Sequence, residues 1–287
     1  LSQESYLEYI RNVLPLNDEP EVFGMHTNAN ITSGLNDTNE LLTKVLNLQP
    51  QIAEGGASST DNLIKSKCRE IIETLPKPFD LEEAAKKFPV RYEESMNTVL
   101  QQELIRFNNL RNTIDKTLVQ LEKAIEGTII MSSELEEIYN KIYIYQVPDA
   151  WHKQSYPSLK PLSSWYEDFK KRLAFMDSWL KNGQPTSFWI SGFFFTQSFL
   201  TGTLQNYARK MKKEIDTIIF DFKVLKTFNP KDITEKPEFG SYVYGLYLEA
   251  ANWSIEREHL EESLPKVLFN EVPLIWLIPM QISANHP

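Results

Sequence analysis

Leu100, Leu104, Phe107, Ile114, Leu118, Leu121 and Ile125 fall at alternating steps of four and three, and Arg111 fills the one slot of that series that is not apolar. The spacing predicts one amphipathic helix over 97–126. At 1.5 Å per residue, about 30 residues run about 45 Å, longer than a small domain is wide. Such a helix must cross something large or be covered by several partners. It reads as a long amphipathic helix lying on a bigger body, with a coiled-coil seam for a partner helix as the alternative. Gly127 suits its C-terminal cap.

The rest of the first half also reads as helices. Asp37 and Thr38 are N-cap types ahead of Leu41, Leu42, Val45, Leu46 and Leu48, a stripe stopped by Pro50. Residues 53–60, AEGGASST, form a linker-like stretch. Ile64, Cys68, Ile71, Ile72 and Leu75 mark a second helix, on whose apolar stripe Cys68 reads as an inert core thiol. Capping-box pairs are expected at Asp80 with Glu83, Ser133 with Glu136 and Ser164 with Glu167, opening helices near 81–88, 134–145 and 165–181. Between the last two, Pro148, Trp151, Tyr156, Pro157 and Pro161 suggest an ordered connector packed onto a surface.

From Thr186 the period shifts. SFWISGFFF (187–195), IIFDFKV (218–224), YVYGLYL (242–248) and VPLIWLI (272–278) read as strands with aromatic or apolar faces. A helix over 197–213 interrupts them, and its basic end, Arg209, Lys210, Lys212 and Lys213, reads as complementing the helix dipole. The expected fold class is α+β. A helical part containing one long amphipathic helix precedes four strands that look like part of a sandwich or barrel. Because a barrel needs more strands to close, the polypeptide is expected to be part of something longer, cut at both ends.

Chemistry-bearing motifs are scarce. The net charge of −9 lacks the footprint of nucleic-acid or anionic-membrane binding, so neither partner is expected. A single cysteine excludes an internal disulfide and a multi-cysteine metal site. No Gly is followed by Lys, so the standard phosphate loop is missing. His26, His152, His259 and His286 are scattered, and the Ser263-to-Lys266 match to S-x-x-K is broken by Pro265. Glu134, Glu136 and Glu137 suit a helix first turn, and the sequons at Asn30, Asn36 and Asn252 read as accidental. From the residues alone, no catalytic, ATP-binding or metal residue is assigned.

LPLNDEPEVFGMHTNANI (14–31) closely resembles the junction motif of dynein heavy chains, at the end of the helical lid of the sixth AAA+ module. Further similar stretches follow in the family's order: LLTKVLNLQP (41–50), VLQQELIRFNNL (99–110), EKAIEGTIIMSSELEEIYNKI (122–142), YPSLKPLSSW (156–165) and YVYGLYLEAANW (242–253). The form SFWISGFFFTQSFLTGTLQNYARK (187–210) is similar to axonemal rather than cytoplasmic dyneins.

The resemblance implies three parts: residues 1–37 as the tail of the AAA+ lid, 38–183 as the helical part of the C-terminal domain, and 184–287 as an antiparallel β part, a truncated barrel. It implies a non-catalytic structural and regulatory region of a minus-end-directed microtubule motor, packed on the AAA+ ring of the same heavy chain. The parent protein would use ATP and magnesium in other modules, so the region itself takes no cofactor. The parent complex would include microtubules and dynein intermediate and light chains, in the cytoskeleton of a cilium or flagellum. Trp189, Phe193, Phe195 and Phe199 are the candidate ring contacts. The alternative is a free-standing helical scaffold that dimerises through the 100–125 helix.

Overall fold

A computed structural model describes residues 2–13, 19–48 and 57–281, without the side chains of 43, 44, 46–48 and 57–59. Pro50, linker residues 53–56, His286 and the side chains of Leu46 and Leu48 therefore lie outside the described residues. The chain divides into two compact units, one of 1–49 with 247–272, the other of 50–246 with 273–287.

The larger unit is organised around helix α5 (Ser95–Ile125), 31 residues long. The helices around it are α3 (Ala57–Thr74), α4 (Leu81–Lys87), α6 (Ser133–Tyr143), α7 (Asp149–His152), α8 (Leu162–Asn182) and α9 (Thr196–Met211). All six pack against α5. Leu100, Leu104, Phe107, Ile114, Leu118 and Leu121 are fully buried. The intruding Arg111 reaches outward, donating to Pro76 O at 3.0 Å and to Asp115 at 2.8 Å. The seam expected to serve a partner helix is thus covered by helices of the same polypeptide, which removes the basis for dimerisation through 100–125.

The connector before α8 is part of the core. Trp151 and Tyr156 are buried, Trp151 donates from Nε1 to Thr117 Oγ1 at 2.9 Å, and its ring stacks on Trp165 at 5.9 Å. Trp165 in turn stacks on Phe169 at 5.7 Å. Cys68 is buried, and desolvation, helped by nearby Glu122, pushes its thiol up to about 12, as an inert core residue should behave.

Two caps of the larger unit differ from expectation. Helix α6 is capped by Ser132, one residue earlier, whose Oγ accepts from Leu135 N. Helix α8 starts at Leu162 after Pro161, whose φ of −64° already suits a helix entry, and it has no side-chain cap. At α4 the expected cap holds: Asp80 accepts from the amides of Glu82 and Glu83.

The expected antiparallel barrel is not present among the described residues. The larger unit holds one mixed sheet of strands β1 (Ser187–Trp189), β2 (Ile218–Val224), β3 (Ser241–Tyr244) and β8 (Ile275–Gln281). Their order is β1-β3-β8-β2, with β1 and β3 parallel and β8 antiparallel to both neighbours. The stretch 187–195 stops being a strand after Trp189 because Gly192 closes a tight turn onto that indole; a Cβ there would meet Trp189 Cε3 at 2.4 Å. The stretch 242–248 breaks at Gly245, whose φ of +83° only glycine adopts readily. Pro279 is tolerated because β3 pairs with β8 only as far as Leu277, so its missing N–H removes no bond between those two strands.

The smaller unit holds α1 (Gln3–Asn12), α2 (Ala29–Leu48) and strands β4 (Tyr247–Glu249), β5 (Ala251–Ser254), β6 (His259–Glu262) and β7 (Phe269–Glu271), paired as β4–β7 and β5–β6. Helix α2 begins well before the expected Asp37–Thr38 cap; Thr38 lies inside it, bonding back to Gly34 O at 2.6 Å. Leu41, Leu42 and Val45 of the expected buried stripe are exposed. The unit is fastened by buried Asn28, whose Nδ2 donates to Val267 O at 2.8 Å while its Oδ1 accepts from Lys266 N at 2.8 Å. Ser263, also buried, donates its hydroxyl to Leu264 O at 3.2 Å, a loop role that accounts for it without a catalytic lysine.

Leu104→Ala should lower the stability of the larger unit by about 2–5 kcal/mol, the range for truncating a fully buried leucine. Urea unfolding followed by tryptophan fluorescence measures this; a change below about 0.5 kcal/mol, the usual surface range, would contradict the central packing of α5.

Candidate interaction surface

Glu103 lies on the buried stripe of α5, three residues after Leu100 and four before Phe107, yet it is an acid. A buried carboxylate is costly unless its oxygens are paired. Here one oxygen accepts from the Phe194 amide, while the other accepts from the Phe195 amide at 3.0 Å and from Arg106 Nη1 at 3.3 Å. Burial pushes the Glu103 carboxyl above the usual glutamate range, and the two amides and Arg106 pull against that shift. The charge also sits at the N-terminal end of α9, where the helix dipole favours an anion.

This arrangement fixes the backbone of Phe194 and Phe195 against α5. The two rings then diverge. Phe194 packs inward, edge-on to Phe107 at 5.4 Å and to Tyr156 at 5.9 Å. Phe195 turns outward, 49% exposed, with the Arg106 guanidinium 5.1 Å from its ring. A recess of about 360 Å³ beside Phe195 is bounded by α5 and α9, and a shallower one of about 650 Å³ lies beyond Phe194, along Arg106, Asn109 and Lys116.

Behind this ridge, Arg172 of α8 ties the connector to the sheet. It donates from Nε to Asp168 at 2.7 Å and from Nη1 to Phe193 O at 3.3 Å. Its guanidinium lies 3.7 Å from the Tyr156 ring and 5.4 Å from that of Trp189. Burial acts to raise the Asp168 pKa, but hydrogen bonds from Lys160 and Arg172 outweigh it, so the carboxyl sits below the usual aspartate value.

The four candidate contact residues separate. Phe193 and Phe199 are core residues, 4.8 Å apart, and present no outward surface. Trp189 is half-buried and clamped, since a Cβ on Gly192 or on Gly245 would stand 2.4 Å from its indole. Phe195 alone of the four is exposed. Sequence reasoning missed Glu103, Arg106 and Arg172. The register of Glu103 inside an apolar stripe was a legible signal of burial, but its partners stand 91 and 92 residues away. The basic end of α9 is partly structural: Arg209 donates to Ser95 Oγ at 2.7 Å and lies 4.2 Å from the Tyr92 ring. Among the described residues, no group of three His, Cys, Asp or Glu side chains could hold a metal ion.

Residues 35–287 match the family model for the C-terminal domain of dynein heavy chains. The sequence is 52% identical over 275 residues to dynein axonemal heavy chain 1 of Rattus norvegicus, covering 96% of this chain and 6% of that protein. It is 48% identical over 280 residues to dynein axonemal heavy chain 3 of Mus musculus, covering 97% and 7%. With dynein axonemal heavy chain 12 of Homo sapiens it shares 48% identity over 282 residues, covering 98% and 9%. It thus spans under a tenth of the length of these relatives.

Two outcomes are expected at this site. Glu103→Gln replaces one acceptor with an NH₂ group facing an amide N–H, and should cost about 1–3 kcal/mol; a urea midpoint matching that of the parent protein would contradict the assigned bonding. Asp168 ionises at lower pH in the folded state than in the unfolded one. Its contribution is complete above the ordinary aspartate value of 3.8 and is lost as pH falls through the folded value. The stability gap between the parent protein and Asp168→Asn should therefore be widest near neutrality and shrink in acid, and a gap constant across that range would refute the pairing.

Proposed function

This protein belongs to the family of dynein heavy-chain domains that lie at the C-terminus, and we propose that it serves as a non-catalytic brace on the AAA+ ring of an axonemal heavy chain. The family and the axonemal relatives assign it to a C-terminal region of the motor protein of the ciliary or flagellar axoneme. Residues 1–37 end the lid of the last ring module, 38–183 form the helical part of the brace, and 184–287 supply its β part, where the mixed sheet is one segment of the family's barrel. The parent motor uses ATP and magnesium elsewhere, moves toward microtubule minus ends, and works with intermediate and light chains.

One observation carries the mechanical reading: the buried stripe of α5 is covered by helices of the same polypeptide, while a buried carboxylate fixes the backbone from which the Phe195 ring points outward beside it. Such an element is stiff and prefabricated. A brace alters motor output only if its contact free energy differs between ring conformations, because equal contact in every state shifts no population. Rigidity helps, since a stiff element keeps its contacts in one ring state and loses them in another.

Deleting the region from the full-length motor should change stall force and run length in single-molecule assays. Both staying at parental values would overturn the proposal.

A further inference from the structure

We propose that the outward face of α5 beside Phe195 is the gripping surface, and that it receives an acid-bearing segment of the motor ring carrying an apolar residue that covers the Phe195 ring. This deepens the brace reading and rests on it.

The face is legible in helical steps. Gln102, Ile105, Asn109, Asn112 and Lys116 follow one another at spacings of three and four, and all five are exposed. They lie opposite the buried stripe, so they take no part in the core. Ile105 and Phe195 are its exposed apolar anchors, 45% and 49% accessible. Phe195 is unusual for an exposed aromatic in how firmly it is held. Its amide and that of Phe194 are bonded to a fully buried carboxylate, and Arg106 lies over its ring. A ring fixed in advance loses little freedom on contact, which is how a few residues come to dominate an interface.

Charge selects the partner. The two recesses flanking the Phe194–Phe195 ridge are lined by carboxamides, hydroxyls, Arg106 and Lys116, with no carboxylate. Glu103, behind them, is enclosed and already bonded. Lys116 forms no ion pair among the described residues. In a protein of net charge −9, this face is cationic and otherwise neutral. A carboxylate arriving there meets attraction and amide donors, whereas a basic segment would meet Lys116, whose charge no carboxylate of either recess offsets, beside Arg106, which Glu103 already pairs.

Zero-length carbodiimide coupling of the full-length motor, mapped by peptide mass spectrometry, tests this, because it joins a lysine only to a carboxylate in contact with it. The expected product joins Lys116 to an aspartate or glutamate of the ring outside residues 1–287. Phe195→Ala, which leaves Lys116 in place, should lower the yield of that product several-fold. Lys116 should also be acetylated more slowly in the native motor than after denaturation by a larger factor than exposed Lys212. Coupling of Lys116 only within residues 1–287, to another subunit or to a second copy would overturn the proposal, as would acetylation as fast as that of Lys212. If other lysines of this region couple to the ring while Lys116 does not, the brace reading stands and this face falls. If none couples to the ring, the brace reading falls with it.

Discussion

The larger unit depends on the enclosure of one helix. An isolated helix of this length would be held by little more than its own backbone bonds, and helices in proteins owe most of their stability to packing of an apolar face. Helix α5 offers that face along its full length, and six other helices meet it. The cost appears where the stripe carries an acid. Glu103 could be accommodated only by bringing amide donors to it, and the turn at Phe194 and Phe195 is where they are found. The same bonds that relieve a buried charge set the direction of an exposed ring, so a requirement of folding and a feature of the surface have one origin.

A second constraint runs through aromatic side chains. Rings touch in two series, one running from Trp151 of the connector through Trp165 and Tyr156 to Phe194, the other from Phe175 of α8 through Phe193 to Phe199 of α9, with edge-on, stacked and tilted geometries. Arg172 bridges the two series, satisfied by Asp168 and lying over Tyr156 of the first and Trp189, which meets Phe175 of the second. Replacing a flexible connector with aromatic packing explains why three prolines can lie between α6 and α8 without leaving a loose segment.

Helical parts were legible wherever burial is one-sided over many turns. The α5 stripe and Cys68 followed from period alone. Ser132 and Ser133 are adjacent, and both can cap, so the choice between them was a matter of backbone geometry that sequence does not carry. The α2 stripe shows the converse: Leu41, Leu42 and Val45 have the right spacing, but nothing in the spacing says that a partner surface lies over them. The β part was harder because aromatic, β-prone runs leave turns unmarked unless glycine conformation is known. Gly192 and Gly245 end two expected strands, each by pressing backbone onto the same indole. Parallel pairing of β1 with β3 is set by the long excursion between them, which local pattern cannot report.

The strand order has a consequence for biosynthesis. β8, the last strand of the larger unit in sequence order, lies between β2 and β3, bonded to both. Before it leaves the ribosome, β2 has no neighbour in the sheet and the β3 side of the β1–β3 ladder is bare. Meanwhile 247–272, made just before β8, joins its own unit with residues synthesised more than 200 positions earlier. The helices around α5 can assemble while translation continues, but the sheet must wait for its keystone, a delay during which unpaired edges are open to misassociation.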